Sequence, residues 1–385
     1  MAHMLRGAAA VVGLGLTEFG TLPERSHLEV MAEASHGALS DAGLTVKDVD
    51  GLFVSNFASP FLALQSAEYL GIDPAVLDST NIGGSTFVSH VQAAAMALAT
   101  GVCNVALIAY GSTARSGGRA GQGRGPQVRT PYEDVYRPRN PIGSYAMAAA
   151  RHMHEFGTTR DQLSSVAVSA RAWAAKNPRA EMREPITVED VANARMICDP
   201  FTVLDCCLVS DGGAAIVMVR SERAGDFPKP PVYLLGIGMA MTHDQIAQMP
   251  DITVTAVAKA APRAFEMAEV SRGDIDVMEF YDAFTINTIL FLEDLGFCAK
   301  GEGGALVESG AIAPGGRLPV NTNGGGLSCV HPGMYGLFTV AEAVEQLRGE
   351  AEGRQVEGAE IALCNGNGGK LSSQVTAIFG TGAAV

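Results

Sequence analysis

One pattern is written twice along this chain. Ala10-Val11-Val12-Gly13-Leu14-Gly15 is matched in the second half by Tyr233-Leu234-Leu235-Gly236-Ile237-Gly238. Both are apolar runs closed by Gly-x-Gly and read as buried strands. A helical stretch rich in small and apolar residues follows each, at 28–41 and 253–267. Ala42-Gly43-Leu44-Thr45-Val46-Lys47-Asp48-Val49-Asp50 then matches Ala268-Glu269-Val270-Ser271-Arg272-Gly273-Asp274-Ile275-Asp276, leading into strands at Leu52–Ser55 and Val277–Tyr281. Asn81–Gly84 precedes a helix of small residues (Val91–Thr100), as Asn323–Gly326 precedes a helix near Leu337–Leu347. Strand Val105–Tyr110 corresponds to Ile361–Leu363, and Gly212–Val219 to the strand around Gln374–Phe379. Two βαβαβ copies imply an α/β protein whose sheets pack on each other through central helices.

The chain has 385 residues, more than one core usually serves. The repeat divides it into an N-terminal half, 5–222, and a C-terminal half, 231–385, joined by a Pro-rich link at Glu222–Pro231. The first half carries an inserted loop domain, 112–196, which opens with a Gly/Arg/Pro-rich run at Ser116–Pro126. Helices are expected in it near Tyr145–Glu155 and Arg160–Asn177. Long excursions of this kind tend to be lids or binding loops. The insertion holds thirteen Arg/Lys against eight Asp/Glu. It is either a dock for a phosphate-bearing ligand or a solvated, salt-bridged surface. The Gly-rich run lacks a following Lys-Ser/Thr, which argues against a nucleotide P-loop.

A net charge of −14 argues against nucleic acid as a partner. No apolar run reaches the ~18–20 residues of a membrane span. No secretory signal is evident, and Met1-Ala2-His3-Met4 reads as a cloning remnant. Seven cysteines without paired spacing suggest reduced thiols and a cytoplasmic location. Without Cys-x-x-Cys or His-x-x-x-His, no metal is expected. Cys206 and Cys207, in a strand-like apolar run, read as buried structural thiols. Asp205 and Asp211 read as turn-fixing residues, and His152 and His154 as surface residues of the insertion.

The duplicated halves, the insertion, and the segments Asn81-Ile82-Gly83-Gly84, Val330-His331-Pro332 and Cys364-Asn365-Gly366-Asn367-Gly368-Gly369 resemble the thiolase superfamily over nearly the whole chain. Within it, the chain is most similar to the lipid-transfer (sterol-carrier-type) thiolases. The resemblance implies a five-layered αβαβα fold, a homodimer, and an active site between the halves at helix N-termini. Acyl-transferring members have a cysteine after Asn-x-x. Counting back from Gly101 places that position at Gly84. The sterol-carrier branch has His-Asp-Cys-Phe where this chain reads Tyr281-Asp282-Ala283-Phe284. Tyr335 stands where the family has a small residue. His331 is retained, and Cys364 matches the family's second cysteine, an acid/base. These departures resemble the retro-aldolases that cleave a β-hydroxyacyl-CoA in steroid side-chain degradation together with a DUF35-type partner, an OB-fold with a zinc ribbon. The resemblance thus implies a heteromeric lyase with no cofactor of its own, coenzyme A entering as part of the substrate.

Glycine cannot be acylated. Ser85, Thr86 and Ser89 lack an activating base, although His90 lies a turn from Thr86. Capping of the helix is the plainer reading of Ser85 and Thr86. Retro-aldol chemistry needs no covalent intermediate. It needs a base for the β-hydroxyl proton, donors for the thioester enolate and an acid for its carbon. Tyr281 and Tyr335 are the candidate bases, acting with a lowered pKa or through a hydrogen-bonded neighbour. His331 and backbone N–H groups around Gly83, Gly84 and Ser85 are candidates for the enolate oxygen. Cys364 is the candidate carbon acid, with Gly333 and Gly366 allowing close approach of substrate. A glycine at 84 is also expected to free space for a bulky β-carbon. Two alternatives stand beside the lyase. One is an acyltransferase acylated on Cys364 or Cys329, and the other is a non-catalytic acyl-CoA or sterol carrier.

Overall fold

The computed structural model describes residues 2–117, 133 and 135–385. Its strands are β1 (Ala9–Leu16), β2 (Gly51–Val54), β3 (Val76–Asp78), β4 (Val105–Ser112), β5 (Met196–Cys198), β6 (Phe201–Thr202), β7 (Gly212–Arg220), β8 (Val232–Met241), β9 (Val277–Phe280), β10 (Ile361–Gly368) and β11 (Ser373–Gly380). The order across the main sheet is β3-β2-β4-β7-β1-β8-β11-β10-β9. Reading outward from the middle, β1-β7-β4-β2 and β8-β11-β10-β9 are the same arrangement, with β3 added at one edge. In each copy the last two strands run parallel and the others antiparallel. The two half-sheets pair at Ala10↔Tyr233 and Val11↔Val232.

Period-two alternation sorts the strand residues into layers. Ala9, Val11, Ala106, Ile108, Ala214, Ile216 and Met218 face the central core, while Ala10, Val12, Leu107, Ala215 and Val217 face an outer one. Helix His27–Asp41 covers the outer face of the first half-sheet and helix Val257–Ala268 that of the second. Helices Thr86–Ala99 and Gly336–Arg348 lie between the half-sheets and touch strands of both. These are the five expected layers. The repeated Gly-x-Gly has a packing cause. A Cβ on Gly13 or Gly15 would lie 2.2 or 2.1 Å from the carbonyl oxygens of Ala38 and Ala34, and one on Gly236 or Gly238 2.1 Å from those of Ala264 and Ala260. In both halves the outer helix presses directly onto strand backbone.

The insertion belongs to the first half in sequence and packs on the second in space. Its helices Ile142–Phe156 and Arg160–Ala174 agree with expectation, and a third spans Val188–Asn193. Trp173 Nε1 donates to the Ile312 carbonyl at 2.9 Å, and Arg171 Nε to Ser328 Oγ at 3.0 Å. His152 is not on the surface, unlike His154. It is fully buried, with Nε2 2.9 Å from Glu293 and Nδ1 2.7 Å from Thr158. Arg160 pairs with Asp205, Arg179 with Glu345 and Arg115 with Glu181, so these cations are committed to ion pairs. Most of the Gly/Arg-rich run, from Gly118 to Pro126, lies outside the described residues. Asp205 and Asp211 do fix turns, accepting from Thr202 and from Leu22, Arg115 and Ser116. Cys206 and Cys207 are not in a strand; they follow a 3₁₀ turn, and Cys206 bridges to Phe284. Among the described residues no helix is long and apolar enough to cross a membrane, and no cluster of His, Cys, Asp and Glu could hold a metal ion.

Candidate active site

The N-termini of the two central helices meet. A Cβ on Gly336 would lie 2.4 Å from the Gly84 carbonyl oxygen. Beside this contact opens a cavity of about 740 Å³, lined by Gly83, Gly84, Tyr281, His331 and Gly333 among others. Helix Thr86–Ala99 begins here, so the positive end of its dipole adjoins the cavity.

Tyr281 follows β9, held by its N–H to the Asn365 carbonyl at 2.9 Å. Its hydroxyl oxygen lies 2.9 Å from His331 Nε2. Burial drives the His331 pKa down to about 4 and the Tyr281 pKa well above its usual value. At neutral pH the imidazole is therefore uncharged and the phenol protonated; in the tautomer with the ring proton on Nδ1, Tyr281 donates to Nε2, and its hydroxyl also lies 3.4 Å from the Gly333 carbonyl oxygen. A proton arriving on the Tyr281 oxygen can be matched by one leaving to His331.

The space beside Gly84 is not empty. A Cβ there would lie 2.1 Å from Tyr281 Cε2, 2.5 Å from Cζ and 2.6 Å from the Asn367 carbonyl oxygen. The tyrosine ring edge occupies the room a residue-84 side chain would need. The expectation that glycine frees volume for substrate is therefore corrected. Gly83, at φ +80°, lies against the opposite turn, with the Gly369 nitrogen 2.6 Å from where its Cβ would be.

The structure separates the two tyrosines. Tyr335 is fully buried and off the cavity wall. Its hydroxyl donates to Asn323 Oδ1 at 2.9 Å, and burial raises its pKa well above normal. Its ring meets Tyr281 edge-on at 5.7 Å and lies nearly parallel to His331, 6.3 Å away. It braces the pair rather than facing substrate. Cys364 is also off the cavity. Alternation along β10 turns it toward helix Gly336–Arg348, where Sγ donates to the Thr339 carbonyl at 3.3 Å, and burial raises its pKa strongly. Gly366, on the same face, makes room for Val88 and Ser85 and does not meet the cavity. A thiol turned away cannot protonate a carbon in the cavity.

Ser85 and Thr86 do not cap their helix. Ser85 Oγ lies 2.7 Å from Ser373 Oγ, and Thr86 Oγ1 accepts from the Ile82 N–H at 2.9 Å, closing the turn before Gly83. The Ser85 side chain does not line the cavity. His90 is buried between Phe53 and Phe87, out of play as its base. Asp282 accepts from the Gly326 N–H at 2.6 Å beneath the short helix Gly325–Ser328, and burial lifts its pKa to about 7. Asn367, Tyr145 and Cys207 line the cavity; the first two are not marked as site residues in the sequence, and Cys207, expected as a buried structural thiol, is half-buried on the cavity wall. Asn367 sits in the quoted glycine-rich run, opposite in parity to Cys364, so strand alternation was the available signal.

Residues 238–381 match the family described as Thiolase C-terminal domain-like. The chain is 36% identical over 380 residues to a steroid side-chain-cleaving aldolase of Thermomonospora curvata, covering 95% of this chain and 96% of that one. The chain belongs to the thiolase superfamily. It is also 36% identical over 392 residues to an acetyl-CoA acetyltransferase of Methanothermobacter thermautotrophicus, covering 96% of this chain and 98% of that one. The solved structure of an Ltp2-ChsH2(DUF35) aldolase superposes with a TM-score of 0.88 at 35% identity, covering 98% of this chain and 99% of that one. Thiolase-superfamily relatives of similar identity thus carry names from two reaction classes, and the choice falls to the site.

Proposed function

We propose that this chain is an acyl-CoA carbon–carbon lyase that splits a β-hydroxyacyl-CoA into a ketone or aldehyde and a shorter acyl-CoA, with no acyl-enzyme. The observation that carries this reading is the Tyr281 ring filling the place of a side chain at Gly84, with its hydroxyl bonded to a neutral His331. The substrate β-hydroxyl gives its proton to the Tyr281 oxygen as Tyr281 gives its own to His331 Nε2. The Cα–Cβ bond breaks, its electron pair passes to the thioester as an enolate, and a carbonyl forms at Cβ. The proton on His331 returns through Tyr281 to Cα, so the cycle closes without oxidant or metal. The backbone at Gly84 is the candidate support for the enolate oxygen, the Gly83 N–H being taken by Asn81 Oδ1 at 3.0 Å.

The acyltransferase alternative needs an acylated thiol. Cys364 and Cys329 are buried off the cavity, and burial pushes up the pKa of the half-buried thiol on its wall, Cys207. The cavity volume suits a bulky acyl group such as a steroid side chain. We further propose a homodimer joined to a DUF35-type OB-fold/zinc-ribbon partner, since a relative of closely similar fold is named with one. A cytoplasmic location accords with seven free thiols. The test is turnover of a β-hydroxyacyl-CoA by the chain co-expressed with such a partner. Ketone release without added coenzyme A supports the lyase, and strict dependence on free coenzyme A overturns it.

A further inference from the structure

We infer that Tyr145, contributed by the insertion, is a positioning residue that holds one wall of the reaction site in register. This rests on the lyase reading of that site. The Tyr145 hydroxyl donates to the Gly369 carbonyl at 3.1 Å and accepts from Asn367 Nδ2 at 2.7 Å. One oxygen thus ties both ends of the 367–369 segment, where β10 runs into its turn. Asn367 is fixed from its other side, its Oδ1 accepting from Gln374 Nε2 at 2.7 Å. The ring is 2% exposed and packs at 4.6 Å on Phe284, itself on the cavity wall, so the hydroxyl has little freedom to wander.

The turn it holds is the partner surface of the reacting centre. The Gly369 nitrogen and Gly368 Cα lie 2.6 and 2.9 Å from a Cβ built on Gly83. The Asn367 carbonyl oxygen lies 2.6 Å from one built on Gly84, the same point that Tyr281 Cε2 approaches at 2.1 Å. The 367–369 backbone, the Gly83–Gly84 backbone and the Tyr281 ring are therefore packed without a side chain's thickness between them. A shift of the turn is passed straight to the group that moves the proton and to the backbone beside the enolate. A displacement of about 1 Å at such a site costs about 10²-fold in rate.

The test is Tyr145→Phe, which keeps the ring and removes the oxygen. Two rates are read with the full chain and its partner: cleavage of a bulky β-hydroxyacyl-CoA, and deuterium uptake at Cα of the shorter acyl-CoA product in D₂O. The second follows enolate formation without any carbon–carbon cleavage. The expected result is a fall of about 10- to 10²-fold in kcat and in the exchange rate, KM staying within about threefold, and thermal unfolding close to the parent. Should Tyr145→Phe fold poorly, Asn367→Ala removes a bond of the same tie from the opposite side and is expected to lower the same two rates. In the double variant the losses should not add. Unchanged rates, or a rise in KM alone, overturn the inference. Exchange without cleavage in the parent overturns the lyase reading and leaves Tyr145 tested by exchange. Absence of both in the parent overturns both.

Discussion

Gly84→Ala is the sharpest perturbation this site offers, because it adds one methyl where the structure has no room. The new Cβ would sit 2.1 Å from Tyr281 Cε2. Ordinary contact begins near 3.4 Å, so the ring must retreat by about 3.4 − 2.1 = 1.3 Å. The other near neighbour, the Asn367 oxygen at 2.6 Å, is backbone and gives little. The hydroxyl now lies 2.9 Å from His331 Nε2, so a retreat of that size is enough to break the bond. Overpacking of this kind costs about 1–3 kcal/mol. Misplacing a proton-moving group by about 1 Å costs about 10²-fold in rate. The assay is ketone release at saturating β-hydroxyacyl-CoA, with thermal unfolding alongside. Adding Tyr281→Ala relieves the ring contact but not the one with the Asn367 oxygen, and should leave the rate low because the hydroxyl is gone. If Gly84→Ala alone keeps both the parent rate and the parent melting temperature, the shared-volume argument is wrong.

Three further expectations follow from the same geometry. Tyr281→Phe should lower kcat by about 10²-fold, whereas Tyr335→Phe should mainly cost stability, about 1 kcal/mol for its bond to Asn323; equal kinetic losses would refute the division of roles. Cys364→Ala should leave kcat unchanged, because the thiol is turned toward Thr339; a large rate loss would restore it as the carbon acid. His331 titrates at about 4 when folded against 6.5 for the free side chain. The unfolded chain therefore binds the proton first, and stability falls as pH drops from about 6.5 to about 4, by about 3 kcal/mol at most from this group. Urea unfolding across that window should show a shallower slope for His331→Asn than for the parent, and an unchanged slope would contradict the burial of a neutral imidazole.

Much of the fold was legible because the duplication is stated in apolar periodicity and glycine spacing, which survive without knowledge of contacts. The helix read from its small residues at Val91–Thr100 runs Thr86–Ala99, starting at the residues read as its cap, Ser85 and Thr86. Motif and geometry coincide at Tyr281 and His331, which the fold brings to 2.9 Å of each other. The site was misread where facing matters. Cys364 and Asn367 sit in one run, and only the parity of β10 decides which faces the cavity. Tyr335 was judged by its hydroxyl, when its buried ring is what the pair leans on. His152 looked like a surface residue because its partner, Glu293, lies in the other half of the chain. Tyr145 carried no signal, since its partners Asn367 and Gly369 lie more than two hundred residues away.

The shared space of Gly84 and Tyr281 also constrains how such a chain can change by single substitutions. Consider a thiolase-like protein with a cysteine at 84 and a histidine at 281. Exchanging the histidine for tyrosine first would put a ring and a side chain in one place. Exchanging the cysteine for glycine first leaves only a void, and a void weakens a protein more gently than a collision. The passage to the present pair is therefore open in one order and obstructed in the other. The return is obstructed too, until the tyrosine is given up. This makes the change of chemistry a ratchet, held by the packing of one aromatic ring against one glycine.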